Sequence, residues 1–209
     1  MKTQKSIIAI LFIATTLLGC KKKGEDIDKG EILTHSMTVE SIIGTTTGNI
    51  TATRKGFMNL YEGLVYSQTE AIANSSKVDF AYNYHGGGCS TCRFFENVSS
   101  MSTRTGYVNG FSTITKSLIV NAEYEFGITR ADFDGLRNAE DIDKLFTSKD
   151  IKGYTSIDIS NRTTDIMTGK IFAFIDKNGK KGFFTVGDYQ AKLPTGDAAS
   201  LNLQVKIQK

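Results

Sequence analysis

The sequence predicts a mainly β protein: β-sandwich-like antiparallel sheets, with one short helix and one longer helical insertion. Three observations carry this expectation. Near the C-terminus Leu201, Leu203, Val205 and Ile207 alternate with Asn202, Gln204, Lys206 and Gln208, and only an extended chain sends alternate side chains to opposite faces. Val78, Phe80, Tyr82 and Tyr84 alternate with Asp79, Ala81 and Asn83 in the same way, which predicts a second strand burying one face. Ile171-Phe172-Ala173-Phe174-Ile175 is a continuous apolar run suited to a strand covered on both sides. It leads into Phe183-Phe184-Thr185-Val186 through Asn178-Gly179, a pair that supplies the positive φ angles of a hairpin turn.

Taken in chain order, further strands are expected at 37–43, 48–53, 57–60 and 63–66, with Glu62-Gly63 turning the third into the fourth. Ser67 and Glu70 have the spacing of a capping box, so a short helix should run through Ala71 and Ile72. Strands follow at 92–98 and 112–120. The longer helical region is expected between Ala131 and Ser148. Asn138 and Asp141 mark the N-cap of its second part, and Ile142, Leu145 and Phe146 form its core-facing stripe. Pro194 and Gly196 break the chain before the last strand. The acidic residues Asp132, Asp134, Glu140, Asp141 and Asp143 read as a solvated helix face partnered by helix N-termini.

The first twenty residues carry an address. Lys2 and Lys5 precede the apolar run Ile7 to Ala14, which has the form of a secretory signal and is too short for a membrane span of roughly 20 residues. Leu17-Leu18-Gly19-Cys20 resembles the lipobox of bacterial lipoproteins. That resemblance implies cleavage after residue 19 and acylation of Cys20. Residues 20–34 then form the lipidated cysteine and a charged tether, and residues 35–209 a single β-rich globular domain. Lys21 stands where an aspartate would imply inner-membrane retention, so the implied destination is the outer membrane. Glu25 and Asp26 come only after three lysines, which leaves the periplasmic and surface-facing sides both open.

Composition narrows the function classes. The chain has 25 basic and 22 acidic residues; cleavage removes Lys2 and Lys5 and leaves 23 against 22. That near balance, without a basic stripe interleaved with aromatics, speaks against nucleic acid as a partner. Trp is absent, which weakens a carbohydrate platform, and Tyr61, Tyr66, Tyr82, Tyr84 and Tyr107 read as strand residues.

The segment His85-Gly86-Gly87-Gly88-Cys89-Ser90-Thr91-Cys92 concentrates the candidate chemistry. As an oxyanion motif it lacks a G-x-S-x-G elbow and any later histidine. As a thiol redox site, Cys89 and Cys92 have the right spacing but no βαβ setting. A disulfide between them suits an oxidising envelope better, and the loop it closes is too short to stabilise much. Arg93 stands where c-type haem attachment needs histidine. His35, His85, Cys89 and Cys92 include the ligand types of tetrahedral zinc. Asp176-Lys177-Asn178-Gly179 has the opening of a calcium loop, but lysine and glycine occupy the remaining ligand positions.

FMNLYEGLVYSQTEA, KVDFAYNY, TRADFDGLRNAEDIDKLF and GKIFAFIDKNGKKGFFTV, with the LNLQVKIQK ending, resemble a group of envelope lipoproteins of Bacteroidota-type bacteria. The resemblance implies a β-dominated lipoprotein and transfers no catalytic residue. A fainter likeness reaches the haem-carrier lipoproteins of the same bacteria, which implies haem held between His35 and His85. The expectation is therefore a non-enzymatic binding or assembly component with no cofactor, anchored to membrane through Cys20 and meeting an envelope protein or small ligand. The alternative is a haem-, metal- or thiol-based protein using His85, Cys89 and Cys92.

Overall fold

The computed structural model describes residues 29–42, 52–85, 92–102, 106–149, 156–158, 168–190 and 200–209. Two antiparallel sheets face one another. The first has the order β1 (Ile32–Glu40), β10 (Ser200–Gln208), β9 (Lys181–Gln190), β8 (Ile171–Ile175), β6 (Leu118–Asn121). The second runs β3 (Leu64–Tyr66), β2 (Phe57–Asn59), β4 (Phe80–His85), β5 (Cys92–Asn97), β7 (Ser156–Asp158). The mainly β class and the sandwich arrangement are thus as the alternating pattern predicts.

Period two decides what enters the core. In β10 the four apolar residues from Leu201 to Ile207 are buried while Asn202 and Gln204 face outward. Met37, Val39, Met58, Phe80, Tyr82 and Phe95 join them between the sheets. The ring of Phe95 meets Phe172 and Phe184 edge-on, with centroids 5.5 and 5.0 Å apart, a geometry that aligns ring edges with π faces. The unbroken apolar run of β8 has its reason here. Phe172 and Phe174 enter the sandwich, whereas Ile171 and Ala173 join a second cluster on the other face.

That second cluster is built by helices. α4 (Arg130–Gly135) and α5 (Ala139–Ser148) bring Phe133, Leu136, Ile142 and Phe146 onto the outer face of the first sheet. Lys206 on β10 donates to the carbonyls of Phe133 and Leu136 at 2.9 and 3.0 Å and lies over the Phe133 ring. It supplies the cation that the end of α4 favours. Burial lowers the pKa of this ammonium from its ordinary value, against the pull of Asp134. The β8–β9 turn forms as expected: Asp176 Oδ1 accepts from the amides of Asn178 and Lys180 at 2.8 and 2.7 Å, and Gly179 takes φ +82°.

α1 (Gln68–Ala73) has the anticipated capping box, in which Ser67 and Glu70 each bond the other's backbone. α1 and α2 (Val98–Met101) help cover the outer face of the second sheet with Ala71, Val98 and Met101. The single insertion between Ala131 and Ser148 resolves into two helices. Among the described residues, two further α-helices were not anticipated. Asn97 caps α2 and so ends β5, and Asn121 caps α3 (Ala122–Phe126) and so ends β6.

Several boundaries and one burial pattern differ from expectation. The strand expected over 112–120 is present only from Leu118, because upstream the chain bonds through side chains: Thr115 Oγ1 donates to Val78 O, and Ser117 Oγ to Asp79. The tether expected over 20–34 ends sooner, since β1 starts at Ile32, which pairs with Gln208. The alternating strand at 78–84 buries both faces, with Asp79, Ala81 and Asn83 as deep as Phe80 and Tyr82. The expected strand at 48–53 lies largely outside the described residues.

Candidate functional site

Of the residues singled out in the sequence, His35 sits on β1 and its Nε2 lies 2.9 Å from the carbonyl oxygen of Tyr61. Its ring lies against Gly63 in the β2–β3 turn, where an added Cβ would come within 2.6 Å of the imidazole. His35 therefore ties the edge strand of one sheet to a turn of the other. His85 ends β4 and pairs with Cys92, the first residue of β5. Cys20, Gly86 to Gly88 and Cys89 lie outside the described residues.

The structure does not bring His35 and His85 together. Phe80 is level with Met58, next to the turn that His35 touches. From Phe80 the strand runs away from that turn to His85, five steps or about 17 Å at ~3.4 Å per residue. Among the described residues no three His, Cys, Asp or Glu side chains gather as metal ligands.

The structure reveals a polar hub that the sequence did not single out. Asp79, fully buried, lies just before β4. Its Oδ2 accepts from the Leu60 amide at 2.9 Å. Its Oδ1 accepts from Ser117 Oγ at 3.1 Å and from the Lys177 amide and Nζ at 3.3 and 3.4 Å. Lys177 belongs to the β8–β9 turn, so this pair joins the two sheets at one end. Burial raises the pKa of the Asp79 carboxyl, while the Lys177 cation and the backbone donors oppose the rise. Both oxygens are occupied and closed off from solvent, which suits a buried link more than an acid or base meeting substrate.

A second buried carboxylate stands on β5. Glu96 accepts from Asn83 Nδ2 at 3.0 Å and from Ser100 Oγ at 2.9 Å, fastening β4 and α2 to the same strand. Such long-range polar links leave no periodic trace in a sequence. The hint available was Asp79 and Asn83 within an otherwise apolar strand, which alternation reads as solvent-facing.

The outer face of β1 and β10 offers the more open ground. Ser36, Thr38, Asn202 and Gln204 line a shallow cavity of about 300 Å³ beside Gly187. The β9–β10 register shifts here, between Leu201 and Leu203, and Thr38 donates to Asn202 Oδ1 at 2.8 Å. Neutral hydroxyls and amides of this kind suit a polar, uncharged group. The acidic residues of the helical insertion are engaged locally: Asp132 in a capping box with Thr129, Asp134 with Arg130, and Asp143 with Lys181 at 2.6 Å. Of the tyrosines, Tyr66, Tyr82 and Tyr107 are buried.

Where the chain enters the fold it is fastened on both sides. The carbonyls of Lys29 and Gly30 accept from the amides of Glu140 and Ala139 at 3.0 and 3.2 Å, at the N-terminus of α5. Asn138 Oδ1 accepts from the Asp141 amide at 3.0 Å. Glu31 pairs with Lys209 through both side chain and backbone.

No family model matches the chain, and neither does any curated protein or solved structure. Among the described residues no helix is long and apolar enough to cross a membrane.

Proposed function

We propose that this chain is an envelope lipoprotein, held to the outer membrane by acyl groups on Cys20 and acting as a non-enzymatic binding or assembly component. The observation that carries the reading is Leu17-Leu18-Gly19-Cys20 directly after a short apolar run with Lys2 and Lys5 ahead of it. Acyl chains at ~0.8 kcal/mol per buried CH₂ hold a polar body on a bilayer without a spanning helix, provided more than one chain is attached. The polar cavity along β1 and β10 supports recognition of a small polar ligand or an envelope protein segment. In the native host, Cys20→Ser is expected to move the protein from the membrane fraction to the soluble fraction. Membrane retention of that variant equal to the parent's counts against the anchor.

A second reading, thiol redox chemistry or haem or zinc binding, is supported by the pairing of His85 with Cys92 across the β4–β5 hairpin. Thiol titration and absorption spectra of native protein separate the two. Reactive thiols, a haem band or stoichiometric zinc favour the second reading; unreactive cysteines and no bound group favour the first.

A further inference from the structure

Resting on the lipid-anchor reading, we propose that one end of the sandwich is the membrane-facing surface: the end formed by the start of β1, the end of β10 and the β8–β9 turn. The opposite end, which carries α3 and the His85–Cys92 pair, then faces away from the bilayer.

Strand direction defines the two ends. β1 leaves this near end at Ile32 and β10 returns to it at Gln208, while β8 and β9 meet there around Asn178. Asp79 joins the Lys177 turn, so β4 also starts at the near end and runs toward His85 at the far end. β6 pairs its last residue, Asn121, with Phe172 at the far side of β8, which places α3 at the far end as well. Over the nine residues of β10 the two ends lie about 27 Å apart at ~3.4 Å per residue.

The anchored segment joins the fold at the near end. Lys29 and Gly30 lie across the N-terminus of α5, and Glu31 is tied to Lys209. Gly30 has φ +69°, and an added Cβ would come 2.8 Å from that of Ala139, so the chain leaves the near end along a defined path. Between Cys20 and Lys29 the sequence has only residues 21 to 28, a reach of about 30 Å when fully extended. Lys21, Lys22 and Lys23 are drawn to anionic headgroups, which leaves residues 24 to 28 as the working spacer. A tether this short, fixed at one end of a body of comparable length, keeps that end nearest the lipid.

The absence of Trp from the chain makes the test direct. Asn178→Trp marks the exposed tip of the near-end turn. Tyr124→Trp marks the far end, at a side chain 83% exposed. Each acylated full-length variant is bound to vesicles of phosphatidylethanolamine and phosphatidylglycerol carrying dansyl-labelled headgroups, and energy transfer from the single Trp is read. Transfer is expected to be severalfold more efficient from position 178, and Leu64→Trp, beside the β2–β3 turn that the Asp79–Leu60 bond places at the same end, should reproduce it if Asn178→Trp folds poorly. Equal or reversed transfer on vesicle-bound protein overturns the orientation and leaves the anchor intact. Failure of the parent protein to float with vesicles overturns the anchor and the orientation together.

Discussion

Asp79 shows how one side chain ties two sheets together and couples them to pH. A carboxylate beside an ammonium ordinarily has its pKa lowered, yet here burial outweighs Lys177 and the pKa is raised. Between the ordinary carboxylate value and the raised one, the folded state holds more protons than the unfolded chain. Asp79 therefore contributes most to stability below the unfolded pKa, and that contribution declines as pH rises through the folded value. Denaturant midpoints measured across the mildly acidic range should show this decline in the parent and lose it in Asp79→Asn, which cannot ionise. An unchanged slope in the variant would assign the pH dependence to other groups. The sequence put Asp79 on a wet face because its neighbours alternate. What overrides that reading is Ser117 and Lys177, 38 and 98 residues away along the chain.

At the scale of elements, two helix starts were legible, since a cap is a local bond between one side chain and an amide three residues on, while the caps at Asn97, Asn121 and Thr129 were not read. Ser67 with Glu70 and Asn138 with Asp141 were readable for that reason. Asn138→Ala is expected to lower unfolding free energy by about 1 kcal/mol, seen as a shifted denaturant midpoint with unchanged slope. The loss stays modest because the carbonyls of Lys29 and Gly30 still serve two amides at the start of α5. A change well above that size would show that the entry strap depends on Asn138. Less legible was the segment before Leu118, where β-branched residues suggest a strand. There the hydroxyls of Thr115 and Ser117 bond Val78 and Asp79, just ahead of β4, and the ladder begins only afterwards.

The sandwich as a whole was legible because its strands alternate and its turns carry Asn-Gly and Glu-Gly. The helical layer over the first sheet left a trace in the unbroken apolar run of β8, whereas the layer over the second left little, since Asp79 and Asn83 interrupt the apolar residues of the strand it covers. The candidate site was legible only in part. The His85 to Cys92 segment stood out by residue type, while the polar cavity of β1 and β10 consists of common strand residues that no spacing distinguishes. Strand direction places the entry of the chain and the His85–Cys92 pair at opposite ends, so an anchored molecule would present that pair away from lipid. Anchoring and orientation both depend on the modification of Cys20. Mass spectrometry of the N-terminal peptide from protein purified from its native host tests it most directly. The expected result is a peptide beginning at Cys20 with a diacylglyceryl group on sulfur; an intact leader, or an unmodified Cys20 on freely soluble protein, would contradict it.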